Sequence, residues 1–171
     1  ITNISSTVTY INNFKIRKIN GKDEIQVSGM PQNPKISNVL WSPNDKKILF
    51  SHTTNSGVEL WVLDVASAKA TKLTEANVNA NLGNPFSWFL DSETILVKML
   101  PKNRQPLLDS KKDLPTGPII SNTSGEKSQN RTYPDMLKNK NDETNFENII
   151  TSELYKVNIN GTAALFKEAA M

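Results

Sequence analysis

Apolar residues along the chain gather in short runs broken by turn residues, and the clearest set lies between residues 36 and 74. "ISNVLW" (36–41) gives way to "SPNDK", where Pro43, Asn44 and Asp45 carry turn chemistry. "KILFSHT" (47–53) runs into "TNSG", a second turn that ends at Gly57. "VELWVLDV" (58–65) is the strongest strand candidate, and after "ASAK" the short "ATKLT" (70–74) closes the set. Four strand-length segments joined by tight turns predict an antiparallel meander. A helix competes over 58–70, because "LWVLDVASAKA" holds good helix formers. Strand is preferred: the β-branched and aromatic residues come first, and no N-cap residue precedes them.

Pieces of this pattern recur. Trp41 is followed seven residues later by Ile48, and Trp88 by Ile95; the two tryptophans are 47 residues apart. "ELYKVNINGTAALF" (153–166) matches "ELWVLDVASAKATKL" (59–73), with Leu154 against Leu60 and Asn158 against Asp64. Upstream, "FKIRKINGKDEIQV" (14–27) has the same strand, polar turn and strand. A spacing near 46 falls in the range of propeller repeats, ~40 to 50 residues. The expected fold is therefore all-β, a partial β-propeller of about two and a half four-stranded antiparallel blades. Residues 6–28 form the rear of one blade, 36–74 a complete blade, and 84–167 a blade interrupted over 101–150. Trp41 and Trp61 are read as packing residues.

The interruption carries Pro101, Pro106, Pro115, Pro118 and Pro134 and the polar tract "SNTSGEKSQNRT". A Pro-rich, weakly apolar segment inside a hairpin is an excursion over the surface, read as a mobile loop in preference to a lid. Short helices are expected near "YPDMLKN" and near "DETNFENII", where Phe146, Ile149 and Ile150 share a helical face.

Charge narrows the partners. Twenty Lys and Arg against 17 acids leave +3, and the bases are scattered, so neither nucleic acid nor an anionic membrane is expected. No apolar run approaches the ~18 to 20 residues of a membrane span. The absence of cysteine removes disulfides and thiolate metal sites but leaves the compartment open. The start, "ITNISSTVTYINNF", has neither an initiator Met nor the pattern of a signal peptide, so the chain is expected to begin inside a longer protein. For a bacterial parent the expected location is periplasmic or secreted.

Catalytic chemistry is sparse, and no catalytic, cofactor-binding or metal residue is assigned. His52, the single histidine, lies inside a predicted strand and is read as structural; without Cys, an all-protein zinc site is not expected. No G-x-S-x-G elbow occurs. "GEKS" (125–128) fails as a phosphate loop because Glu126 separates Gly125 from Lys127. An amphipathic helix over "DVASAKATKLTEAN" conflicts with its place in the repeat. Asn130-Arg131-Thr132 is a glycosylation acceptor pattern, which an Asn-rich chain also produces by chance. Arg131, Tyr133 and Asp135 are the contact candidates: Arg131 could clamp a carboxylate and Tyr133 line a pocket, unless Arg131 and Asp135 simply pair to hold the insertion.

The stretch 36–74 resembles the propeller blades of the prolyl oligopeptidase family of serine peptidases. "FSWFLDSETILVKMLP", "LPTGPIISN", "QNRTYPDMLKNKNDETNF" and "TSELYKVNINGT" narrow the likeness to the glutamyl endopeptidase branch. Asn44-Asp45 stands where such blades often have Asp-Gly, a change of turn type. The resemblance implies that the propeller covers a C-terminal α/β-hydrolase domain of the same protein carrying Ser, Asp and His. It also implies that the propeller restricts access to peptide substrates and that cleavage follows acidic residues. No cofactor is implied, and none of the triad maps onto this chain. The alternative is a non-catalytic TolB-like or WD40-like propeller that binds protein partners; a self-contained small β-protein fits worst. A repeat fragment exposes unpaired edges and faces, so the isolated chain is expected to self-associate.

Overall fold

The computed structural model describes residues 3–109, 125, 137 and 139–170. They fall into two units, one of residues 1–104 and 150–171 and one of residues 105–149. The first is built almost wholly of antiparallel strands: β1 (Lys15–Arg17), β2 (Glu24–Gln26), β3 (Ile36–Trp41), β4 (Lys47–Thr53), β5 (Val58–Asp64), β6 (Lys69–Lys72), β7 (Phe86–Trp88), β8 (Thr94–Met99), β9 (Ser152–Asn158) and β10 (Ala163–Ala170). They make a two-stranded hairpin, β1-β2, and two four-stranded sheets, β3-β4-β5-β6 and β7-β8-β9-β10. The segment weighed as a helix over 58–70 is β5 and the turn into β6.

Strict alternation along β4 and β5 explains the stacking of the sheets. Leu49, Val58, Leu60 and Val62 turn to one face and join Phe86, Ile95, Val97 and Val157 of the second four-stranded sheet in one core. Ile48, Phe50 and Leu63 turn to the opposite face, where Phe14 and Ile16 from the hairpin side pack on them. Phe50 meets Phe14 edge-on at 5.3 Å and stacks on Trp61 at 6.2 Å between centroids. The central sheet is thus covered on both sides, each fully buried side chain contributing about 1.5–3 kcal/mol. Val78, in the connection between the two four-stranded sheets, bridges both Val58 and Met99 and ties them by backbone hydrogen bonds.

The repeat inferred from spacing is present as register. Trp41 pairs with Ile48 and Trp88 with Ile95; Asp64 pairs with Lys47 and Asn158 with Thr94. The turns agree too. Ser42 N donates to Lys47 O at 2.8 Å and Phe89 N to Thr94 O at 2.9 Å. Asp45 and Ser92, 47 residues apart, both adopt left-handed φ, 55° and 58°. Asp45 therefore takes a conformation that glycine also serves, and the expected change of turn type is not needed to accommodate it.

Two details depart from the expectations. The last strand of the central sheet is Lys69–Lys72 rather than 70–74: Leu73 and Thr74 leave the ladder, their amides both donating to Leu60 O. Trp41 is not a packing residue; it is 51 % exposed. A one-residue register shift between Ser37 and Leu40, with Asn38 at φ 50°, bulges β3, and beyond it Val39, Leu40 and Trp41 are exposed. Trp61 does pack, against the Phe50 cluster.

In the second unit, helix α1 (Lys140–Ile150) lies where "DETNFENII" predicts one. Asn139 caps it, its Oδ1 accepting the Asp142 N–H at 2.9 Å, with Asp142 and Glu143 in the first turn where the helix dipole favours acids. Asn145 holds Leu108 by a reciprocal pair of hydrogen bonds, 2.7 and 2.8 Å. The helix near "YPDMLKN" falls outside the described residues.

Candidate functional site

Arg131, Tyr133 and Asp135 lie outside the described residues. Among the described residues no group of three or more His, Asp or Glu side chains is placed to hold a metal ion. His52 is 6 % exposed in β4. Its Nδ1 accepts the Lys35 backbone N–H at 3.2 Å and its ring meets Trp61 edge-on at 6.3 Å. Burial lowers its pKa below the ordinary histidine value against the pull of the Glu59 carboxylate, so the ring is held neutral. This is a packed histidine.

The feature best suited to contact another molecule is where the first strands of the two four-stranded sheets come together. Asn38, Val39 and Leu40 face Asn84, Pro85 and Phe86 across a cleft of about 170 Å³. Trp88 Nε1–H reaches Leu40 O at 3.4 Å, and the turns are tied by Asn44 N–H to Ser92 Oγ at 3.2 Å. The bulge that forms the cleft is itself fixed: Ser37 and Ser51, both buried, share a 2.8 Å hydroxyl pair, and Asn38 Nδ2 donates to Ser51 Oγ at 3.0 Å. The lining is mainly apolar with two asparagines, a surface for apolar side chains and backbone rather than for bond-making chemistry. No motif marks it in the sequence. The signal available was "NVLW" and "NPFSW", each an Asn shortly before a repeat tryptophan, with an unalternated apolar run in the first.

A second recurring device lies on β5 and β9. Trp61 Nε1–H donates to Glu59 Oε2 at 2.9 Å, and Tyr155 Oη–H donates to Glu153 Oε2 at 3.0 Å. Burial, then the bond and charge of Glu153, raises the Tyr155 phenol pKa. On the face of β7–β10 turned away from the core, Lys156 Nζ sits 4.5 Å from the Phe166 ring centroid and 5.4 Å from that of Phe89. Lys98 Nζ donates to Leu82 O, and burial lowers its pKa.

The described residues thus form repeated antiparallel sheets with an apolar cleft where their first strands meet. No family model matches the chain. It is 32 % identical over 146 residues to a probable chloroplastic glutamyl endopeptidase of Oryza sativa subsp. japonica, covering 80 % of this chain and 15 % of that protein. It is 32 % identical over 149 residues to a probable chloroplastic glutamyl endopeptidase of Arabidopsis thaliana, covering 81 % and 15 %. Among solved structures it is similar to the Pyrococcus horikoshii acylaminoacyl peptidase, with 24 % identity, 54 % of this chain and 13 % of that one covered, and a TM-score of 0.34. It is also similar to an acylaminoacyl peptidase in complex with Z-Gly-Gly-Phe-chloromethyl ketone, with 18 % identity, 81 % and 17 % covered, and a TM-score of 0.40. Over about four fifths of its length the chain is thus similar to glutamyl endopeptidases. It spans about 15 % of the length of the curated relatives it matches.

Proposed function

We propose that this chain is part of the β-propeller of a serine peptidase that hydrolyses peptide bonds after glutamate, and that it restricts which substrates reach a hydrolase domain outside these 171 residues. On this reading residues 6–28 are the rear of one blade, 36–74 a complete blade, and 84–167 a blade whose second hairpin is interrupted over 101–150. The observation that carries it is the repeated register, Trp41 on Ile48 and Trp88 on Ile95, in a chain 32 % identical to glutamyl endopeptidases. Each four-stranded sheet then stands radially with its first strand, β3 or β7, toward the axis, so the cleft at Asn38–Leu40 faces the route of entry. Peptide substrates and the hydrolase domain are the partners. The acyl-enzyme chemistry belongs to that domain.

The test is a comparison of the complete protein with this chain. The complete protein is expected to cleave a short unfolded peptide after glutamate and to spare the same sequence inside a folded domain; the 171-residue chain is expected to cleave neither. Turnover by the purified chain, or equal cleavage of folded and unfolded substrates by the complete protein, would overturn the reading.

A further inference from the structure

We propose that the outer edge of β3, at Val39 and Trp41, captures an extended peptide as an added antiparallel strand and seats one of its apolar side chains in the cleft against Phe86. This rests on the reading above in one respect, that peptides are what the route admits.

The backbone supports it first. β3 is the first strand of its sheet and pairs with β4 on one side alone over Leu40 and Trp41. Ser42 N–H bonds to Lys47 O, so in the alternation of an antiparallel ladder Leu40 also turns its N–H and C=O toward β4. Val39 and Trp41 then turn theirs outward, two residues apart, the spacing an added strand requires. The same edge already accepts main chain: Ile11 and Ile36 exchange both backbone hydrogen bonds there, 2.8 and 2.9 Å. The peptide would continue that pairing along the strand past the Asn38 bulge.

Side chains agree with the backbone. Val39, Leu40 and Trp41 are all exposed, an apolar run on a strand edge of the kind that proteins usually blunt with charge or proline. The cleft beside them, about 170 Å³, is large enough for one apolar side chain and is lined by Val39, Leu40, Pro85 and Phe86. Recognition of this kind reads extension and one apolar position rather than sequence, which suits a filter for unfolded peptides.

The experiment is an amide-resolved NMR titration of this chain with a short peptide of alternating valine and threonine flanked by lysines. A matched peptide N-methylated at alternate amides, which cannot complete a strand, is the control. The first peptide is expected to shift and protect the Val39 and Trp41 amides, and the N-methylated one to bind about tenfold more weakly, as the loss of one or two net hydrogen bonds implies. Trp41→Pro removes an outward donor without touching the β4 ladder and is expected to weaken binding likewise, whereas Trp41→Ala keeps the donor and retains the protection. Equal binding of both peptides would mean simple apolar contact and would overturn strand addition, as would no change at Val39 and Trp41. So would concentration-dependent protection of these amides without peptide, which would mark a second copy as the occupant. Because the readout is binding to this chain, its failure is separate from any failure of the peptidase reading, which the cleavage comparison decides.

Discussion

Tyr155 donates its phenol hydrogen to Glu153 Oε2 at 3.0 Å, two residues back along the same strand and on the same face. Trp61 does the same to Glu59 in the neighbouring sheet at 2.9 Å, so a carboxylate orients the aromatic ring at the same place in each repeat. Tyr155→Phe should cost about 1 kcal/mol, one net hydrogen bond, measured by urea unfolding. Burial and Glu153 together raise the phenol pKa above its ordinary value. The tyrosinate absorbance lost in Tyr155→Phe should therefore titrate above that of an exposed tyrosine, and Glu153→Gln should move it down.

Two glycines lie where another chain segment comes too close for any side chain. A Cβ at Gly57 would stand 2.3 Å from Ala76 O, and one at Gly29 would stand 2.5 Å from Ala70 O with φ at 71°. Both obstacles are backbone, so neither yields cheaply. Gly57→Ala and Gly29→Ala should each destabilise the chain by about 2–3 kcal/mol. A loss under about 0.5 kcal/mol in chemical denaturation, the range of an ordinary surface change, would contradict the close approach.

The turn between β5 and β6 offers the opposite case. Ala68 holds a left-handed φ of 52°, whereas the corresponding turn between β9 and β10 uses Gly161, φ 87°. A left-handed alanine costs about 1–2 kcal/mol, offset in part by the greater freedom of glycine in the unfolded chain. Ala68→Gly should raise stability by about 0.5–1 kcal/mol, and Gly161→Ala should lower it by about 1 kcal/mol. Thermal melts of the two variants check both signs.

His52 sets an acid limit. Its folded pKa lies below the unfolded value of 6.5, so the unfolded chain takes up the proton first as the pH falls. Stability from this group is complete above that value, declines as the pH drops through it, and levels off below the folded pKa. As the chain's single histidine, it should dominate the slope of unfolding free energy against pH in that window. His52→Gln should flatten the slope, and an unchanged slope would place its cause elsewhere.

Register was legible in the sequence because it rests on spacing. Trp41 and Ile48, Trp88 and Ile95, Asp64 and Asn158 were alignable by eye, and a period-2 pattern fixes which neighbours a strand can have. What spacing could not reveal is the bulge. One extra residue at Asn38 breaks the alternation of β3, and Trp41, read as a packing residue, stands exposed beyond it, while the bulged residues Asn38–Leu40 line the cleft. That break depends on a left-handed Asn38 and on Ser37 and Ser51 meeting across the ladder, contacts between residues far apart in sequence. The end of β6 was misread for a similar reason: Leu60 O captures the amides of Leu73 and Thr74, which propensity alone would have left in the strand.

The connection between β8 and β9 has a consequence for how such a protein can change. The two strands pair at six positions, from Thr94 with Asn158 to Met99 with Glu153, although residues 100–151 intervene. Their partners on either side, β7 and β10, supply the rest of the sheet without that segment. Since closing a flexible loop of twice the length costs only about 0.6 kcal/mol, the sheet is nearly indifferent to how much chain is spliced there. At that hairpin the length of the connection can change at little cost while the stacked sheets keep their register.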